Sequence, residues 1–585
     1  MKILLTTLNS KFVHTNLAIR YLKSCTSHLT QIDIKEYTIN NTIDYILKDM
    51  YNENADVIAF STYIWNVDET LKIAKNMKKI SPHIKILLGG PEVSYDYVKV
   101  MEDNPYIDYL IYGEGEVTFR EFVEYMLGKK DITNIDGIVY RENENIIVNK
   151  ERCLLTLLDE IPSIYENIDI KEYENKIVYY ETSRGCPFNC QYCLSSTIKG
   201  LRFFDIERVK KELKILIDAK VKQVKFVDRT FNANKKYALD IMNFLIEHDN
   251  GYTNFHFEVT AHLIDEEMLE FLSKCKQGLF QFEVGVQSTN PLTLKEIQRN
   301  CDFDKLSYVV KKISSFKNIH QHLDLIAGLP YENYESFRNS FNMVFNLGID
   351  QLQLGFLKML KGSGVRNNAK KHGYLYKDYP PYEVLCNNYM TYGELLRIKD
   401  IEEMLELYFN SDNFNLSISY IIKNYYGEDA FKFFEDISSF WNDRGYFKTS
   451  QGKNEQYKIL LEFYENKINK KIDLFKEILK YDYVSLGRTS NIPNFFNKIE
   501  IEDFKNRCHK FLQEEENIKR FLPQYKDVSA KNIIKYVNFE VFRYNISKLK
   551  QDICCDLKEE LTIMLFIYDL DKKVFEKSKS YNVEI

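Results

Sequence analysis

The chain has 585 residues, 45% hydrophobic and 28% charged, with a formal net charge of −6. That length exceeds a single core and suggests about three domains, and the charge balance gives no bulk attraction to nucleic acid. Eleven cysteines are too few for a disulfide framework, the amino terminus opens directly into KILLTTL, and no run of about 18 apolar residues occurs, so a cytoplasmic, reduced protein off the membrane is expected.

Over the first 134 residues short apolar runs alternate with helical stretches. Strands are expected at 2–8, 32–37, 57–61, 84–88 and 109–112, and helices near 17–24, 67–79 and 98–102. This rhythm predicts a parallel, doubly wound sheet, whose ligands sit at the carboxyl ends of its strands. The segments placed there are 9–16, 61–65, 89–92 and 113–116. Gly89-Gly90 allows the close backbone approach that a large flat or phosphorylated ligand needs.

Ser61 after the third strand, Gly89-Gly90 after the fourth and Gly113-Glu114-Gly115-Glu116 after the fifth resemble the cobalamin-binding domain that precedes many radical-SAM barrels. The resemblance implies a Rossmann-like cobalamin domain over 1–134, with Ser61, Tyr63, Trp65, Gly89, Gly90, Gly113, Glu114 and Gly115 near the cofactor. One departure matters. The Asp-x-His-x-x-Gly signature is absent, because the loop KFVHTNLA has Phe12 in place of the Asp and Leu17 in place of the Gly. His14 is then either a lower ligand to cobalt or a residue that orders the loop or caps the next helix, the second being favoured. Tyr63, Ile64 and Trp65 could instead cover the lower face with apolar surface, an arrangement that favours handing over an alkyl group.

Residues 135–175 read as a hairpin, over 135–149, and a connector. A short apolar strand from Ile177 to Tyr180 then runs into IVYYETSRGCPFNCQYC, residues 177–193. Gly185 permits a tight turn before Cys186, and Pro187 and Asn189 keep the loop away from helix. Cys186, Cys190 and Cys193 bring three thiolates together and leave a fourth position open. That spacing suits either a zinc knuckle borrowing a ligand or an iron–sulfur cubane with one open iron. The strand-then-loop setting, the Gly-Cys-Pro start and Tyr192 before the last cysteine resemble the radical-SAM superfamily. The resemblance implies a [4Fe–4S] cluster on Cys186, Cys190 and Cys193, with S-adenosylmethionine on the open iron.

Strands are expected next at 223–227, 256–260, 281–286, 322–326 and 351–355. With the first they make six βα units, matching a partial (β/α)6 barrel over 176–390 whose catalysis lies at the strands' carboxyl ends. Asp228, Arg229, Glu258, Gln287, Ser288 and Gly328 stand there, each equally readable as a satisfied barrel-mouth polar group. As a set they favour a ligand, since an apolar strand ending in charge is costly without a partner. The resemblance supports Glu258 and Gln287 as contacts to S-adenosylmethionine and places the backbone beside Tyr192 near adenine.

From 391 to 585 helical spacing is expected at 389–409, 416–426, 430–441 and 456–481, with strands at 562–570 and 574–575. This mainly helical segment resembles an uncharacterised carboxy-terminal extension of one bacterial group of cobalamin-type radical-SAM proteins, and it would cover the barrel mouth or select the substrate. The expected fold class is α/β: a doubly wound first domain, a partial barrel and a helical end. The expected function is a cobalamin-dependent radical-SAM enzyme that methylates an unactivated carbon via a 5′-deoxyadenosyl radical. It would act on a small molecule or peptide and take electrons from a partner such as flavodoxin or ferredoxin. Radical cyclisation or rearrangement, or a non-catalytic iron–sulfur redox or partner-binding role, are the alternatives. An RNA methylthiotransferase would need a second three-cysteine set in a first domain that holds only Cys25.

Overall fold

The computed structural model describes residues 1–166, 170–488, 492–568 and 578–585. The strand expected at 574–575, and the end of the one at 562–570, lie outside those residues.

The first sheet has seven strands: β1 (Lys2–Asn9), β2 (Gln31–Thr38), β3 (Val57–Ser61), β4 (Lys85–Gly89), β5 (Tyr109–Ile111), β6 (Ile138–Glu142) and β7 (Asn145–Val148). Their order is β2-β1-β3-β4-β5-β6-β7, and β1 to β5 run parallel. Alternate residues go to opposite faces. Leu4, Ile58, Phe60, Ile86 and Leu88 pack against Ile46, Ile73, Met77 and Met101. Ile3, Leu5, Val57, Ala59 and Ile111 pack against Ile19, Phe119 and Phe122. Burial on both faces is what makes the sheet doubly wound.

The helices are α1 (Leu17–Thr26), α2 (Ile43–Asn52), α3 (Val67–Ile80), α4 (Tyr97–Asp103) and α5 (Glu116–Met126). Sequence reasoning missed α2 and α5. The hairpin forms as expected. β6 pairs antiparallel with β5, Tyr109 opposite Tyr140, and so extends the sheet past residue 134. The edge of β5 would otherwise present unpaired backbone groups.

The second sheet contains β8 (Val178–Tyr180), β11 (Gln223–Phe226), β12 (Asn254–Glu258), β13 (Phe280–Gln287), β14 (His320–Ala327) and β15 (Gln351–Phe356), in the order β15-β14-β13-β12-β11-β8. Between β8 and β11 lies a short antiparallel ribbon, β9 (Ser183–Arg184) and β10 (Arg202–Phe203), with Arg184 opposite Arg202. Phe255, Phe257, Phe280, Phe282 and Val284 are buried, while the residues between them are polar. Register aligns Lys225 with His256, Glu258 with Glu283, Glu283 with His322 and Gly285 with Asp324. One face of the barrel sheet is therefore polar. A small pair, β16 (Leu375–Tyr376) and β17 (Val384–Cys386), follows.

The chain divides into two compact units, Met1–Asn333 with Gly355–Tyr392, and Tyr334–Leu354 with Gly393–Ile585. The second unit is mainly helical and is discontinuous in sequence. Its helix Tyr334–Phe345 packs Phe341 against Phe431 and Phe434. Asn342 accepts from Phe431 N (2.8 Å) and donates to Asp429 (2.7 Å), while Arg338 pairs with Asp429. The single helix expected at 456–481 is two, Lys453–Lys467 and Ile472–Ser485. Asn469 and Lys471 between them adopt φ of 52° and 47°, which a helix cannot contain. The unit ends in an antiparallel sheet of β18 (Val537–Tyr544), β19 (Glu559–Ile567) and β20 (Lys579–Val583). Among the described residues no helix is long and apolar enough to cross a membrane.

Candidate functional site

Two cavities meet in the first unit. The smaller, about 160 Å³, is walled by Cys186, Cys190, Cys193, Phe188, Tyr192, Arg229, Glu258, Glu283, Gln287, Arg299 and Asp324. The larger, about 510 Å³, lies between the carboxyl end of β1, the loop after β3 and the barrel mouth. Arg229 and Glu258 line both.

The cysteine loop is held by its surroundings rather than by helix. Gly185 has φ +96°, and a Cβ there would overlap the Gly200 carbonyl oxygen. Asp228, 1% exposed, accepts from Thr182 N (3.1 Å), Thr182 Oγ1 (2.5 Å) and Ser183 Oγ (2.5 Å). Asp228 thus anchors the strand leading into the loop and does not line either cavity, contrary to its expected part in holding S-adenosylmethionine. On the other side, Gln191 N donates to Ile297 O (2.9 Å) and Gln191 O accepts from Val365 N (2.9 Å).

Arg299, which sequence reasoning missed, donates to Tyr192 Oη (3.0 Å), approaches Cys190 Sγ (3.7 Å) and reaches the Gly285 carbonyl. Burial raises the Cys190 pKa, an effect the Arg299 guanidinium offsets only in part. Burial also raises Tyr192. Gln287 sits at φ +74° with its Oε1 buried and unpartnered, as is Arg299 Nε. These residues fit a [4Fe–4S] cluster with S-adenosylmethionine on its open iron: three thiols face one cavity, and polar atoms in its wall lack partners. Ser288 and Gly328 are spoken for, by Glu332 (2.6 Å) and by the Tyr374 hydroxyl (2.9 Å).

Beneath the mouth lies a buried charge group that was also missed. Glu283 meets Lys225 Nζ (3.0 Å) and His256 Nε2 (3.0 Å). Burial pushes the Glu283 carboxyl up, but the His256 hydrogen bond and the Lys225 ammonium outweigh it and hold it low. Burial lowers His322 to about 4 and raises Asp324, which Glu283 and Glu258 push further. Burial likewise raises Glu258, partly offset by Arg229 at 3.8 Å. The period-2 polar residues in KFV, FHFE and FQFEVGVQ were the available signal, since a parallel barrel strand buried on both faces is ordinarily apolar throughout.

In the larger cavity Tyr63 and Trp65 stack at 4.5 Å and 6° into a flat wall. Trp65 Nε1 donates to Leu8 O (3.1 Å) and Asn16 reaches the Tyr63 hydroxyl (3.4 Å). His14 lines the same cavity, its Nδ1 hydrogen-bonded with the Tyr179 hydroxyl at 2.7 Å. Burial lowers its pKa, with Lys11 and Lys225 adding to the effect. Asn16, not His14, caps α1, through Ile19 N (3.1 Å). A flat aromatic wall and a neutral imidazole fit a corrin.

The glycines have other duties. At Gly90, with φ +112°, a Cβ would overlap the Thr62 backbone, so β3 and β4 end in contact there, and Thr62 N donates to Gly89 O (2.7 Å). Ser61 O accepts from Thr7 Oγ1 (3.0 Å). Gly113 has φ +78°, and Gly115 precedes α5. Ser61, Gly89, Gly90, Gly113 and Gly115 stand at the carboxyl edge of the sheet without lining the larger cavity. Glu114 is engaged by Arg202 (2.7 and 3.0 Å) and Leu155 N (3.1 Å).

Residues 3–123 match the B12 binding domain model, 180–344 the radical SAM superfamily and 370–566 a protein family of unknown function, DUF4080. The chain carries a B12-binding domain followed by a radical SAM domain. The radical SAM match begins at the end of β8, and the three-cysteine loop follows that strand. The chain is 28% identical over 319 residues to an uncharacterized methyltransferase of Pyrococcus horikoshii, covering 53% of this chain and 69% of that one. It is 29% identical over 310 residues to the cobalamin-dependent radical SAM methyltransferase TokK of Streptomyces tokunonensis, covering 50% and 45%. The chain thus spans less than half the length of TokK. The structure of OxsB, a cobalamin-dependent S-adenosylmethionine radical enzyme, superposes with a TM-score of 0.58 at 15% identity, over 82% of this chain and 79% of that one, and shares its fold. The radical SAM and B12-binding domains bring a [4Fe–4S] cluster, S-adenosylmethionine and cobalamin as cofactors.

Proposed function

We propose that this protein is a cobalamin-dependent radical SAM methyltransferase acting on an unactivated carbon of a small-molecule or peptide substrate. The observation that carries the reading is the meeting of the two cavities at Arg229 and Glu258, which brings the cysteine loop and the first sheet to opposite sides of one space. When bound, the reduced cluster and S-adenosylmethionine supply a 5′-deoxyadenosyl radical to take a hydrogen atom, and methylated cobalamin supplies the methyl group. The chain's own residues orient and enclose. Arg299 sets positive charge beside Cys190 and Tyr192, and Glu258 and Gln287 offer acceptors for an ammonium and ribose hydroxyls. The Tyr63–Trp65 stack offers the flat apolar wall. Electrons come from a partner such as flavodoxin or ferredoxin, in the cytoplasm.

Anaerobic reconstitution with iron, sulfide and hydroxocobalamin tests the reading. Retained cobalt and 5′-deoxyadenosine formed after dithionite are expected. Protein that holds zinc in place of iron and retains no cobalt sinks it.

A further inference from the structure

The glutamates of the Gly113–Glu116 turn grip the ribbon that frames the cysteine loop. Arg184 stands two residues before Cys186, its side chain 12% exposed, and bonds Glu116 (2.5 Å) and Glu181 (3.1 Å) with Glu114 at 3.6 Å. Its guanidinium also lies over the Tyr21 ring at 5.7 Å. Arg202, its partner across the ribbon, takes Glu114 in a two-pronged bond. Both arginines therefore come from β9 and β10, while Glu114 comes from the loop after β5 and Glu116 opens α5. Gly185 leaves no slack between Arg184 and Cys186, because its backbone is pressed against Gly200 at the far end of the loop. A planar guanidinium held by carboxylates at several points resists rotation as well as separation.

Resting on the proposed function, we propose that this clasp couples the two cofactor sites: filling the cysteine loop tightens cobalamin binding, and cobalamin tightens the cluster. The ribbon joins the cysteine loop to Arg184, Glu181 and Glu116, walls of the larger cavity, so order that a bound cluster imposes on the loop passes through the clasp to that wall. Linkage makes the effect reciprocal, with the same factor in each direction. Glu114, outside both cavities, serves as a positioning residue.

Hydroxocobalamin affinity, measured by anaerobic equilibrium dialysis on cluster-loaded and cluster-free full-length protein, tests the proposal. The wild type is expected to bind at least about fivefold more tightly when loaded. Glu114→Gln and Glu116→Gln are expected to bring that ratio below about twofold, whatever happens to the affinities themselves. In equilibrium competition with a chelator, retention of iron should rise with cobalamin present by the wild-type factor. Equal affinities in the two wild-type forms, or an undiminished ratio in both variants, overturns the coupling. Should a variant lose its circular-dichroism spectrum, the wild-type ratio and its reciprocal decide alone. Failure to bind hydroxocobalamin in either form instead overturns the proposed function.

Discussion

Gly185 turns the chain from a strand into a loop that must present three sulfurs, and its positive φ and contact with Gly200 leave no room for a side chain. Gly185→Ala is expected to cost about 1–3 kcal/mol of backbone strain and, more tellingly, to cut iron bound per chain severely while the circular-dichroism spectrum persists; full iron loading would refute it. Asp228 is read differently from the way its position suggests, since its carboxylate serves the Thr182–Ser183 backbone turn. Asp228→Asn keeps the shape but turns donors toward donors, so urea denaturation should show a loss of about 2–4 kcal/mol, with S-adenosylmethionine affinity falling less than in Glu258→Gln. Glu181, buried beside Arg184, is pushed up to about 7, burial outweighing the arginine. The folded protein therefore holds this proton more tightly than the unfolded chain does. Stability from this group falls as pH rises from about 4.5 to about 7 and is level above, by at most about 3 kcal/mol. Thermal melts of wild type against Glu181→Gln across that window should diverge; parallel melts would exclude it.

Helix and strand ends show how much was legible and why the rest was not. The strands of both sheets fall close to where short apolar runs bounded by turns put them, because burial on two faces forces such runs. The cysteine loop stood out by its spacing, but spacing alone left zinc and an iron–sulfur cluster both open; the strand before it and the Gly-Cys-Pro start carried the distinction. The Gly113–Glu116 turn was legible as a special site but not as a clasp, because its arginine partners lie 68 and 88 residues away and pair only through β9 and β10. Arg299 escaped notice for a similar reason, standing beyond the helix Pro291–Glu296 with no local pattern to mark it. The break at Asn469 and Lys471 interrupts a stretch whose apolar period runs straight through it, so periodicity alone could not find it. Elsewhere local chemistry does suffice: Asp205 precedes the helix Ile206–Asp218 and accepts from Glu207 N (3.0 Å) and Arg208 N (3.2 Å). Asp205→Ala should lower stability by about 1 kcal/mol in denaturant titration; an unchanged midpoint would mean that Asp159, which bonds Asp205 N, carries that end.

The molecule's two units do not follow the order of the chain. Tyr334–Leu354 belongs with Gly393–Ile585, so a chain cut after Tyr392 would leave Phe341, Asn342 and Arg338 without Phe431, Phe434 and Asp429. Such a truncated chain is expected to aggregate on gel filtration, and a monodisperse one binding both cofactors would refute this. The same discontinuity bears on synthesis. A ribosome that has just made Tyr392 must add residues 393–434, about 2–8 s of elongation, before Tyr334–Phe345 has Asp429, Phe431 and Phe434 to pack on. The segment between β14 and β15 therefore waits, partly clothed, while the first sheet behind it has every strand it needs. A cluster inserted during that interval would sit in a barrel whose helix between β14 and β15 still lacks Phe431, Phe434 and Asp429.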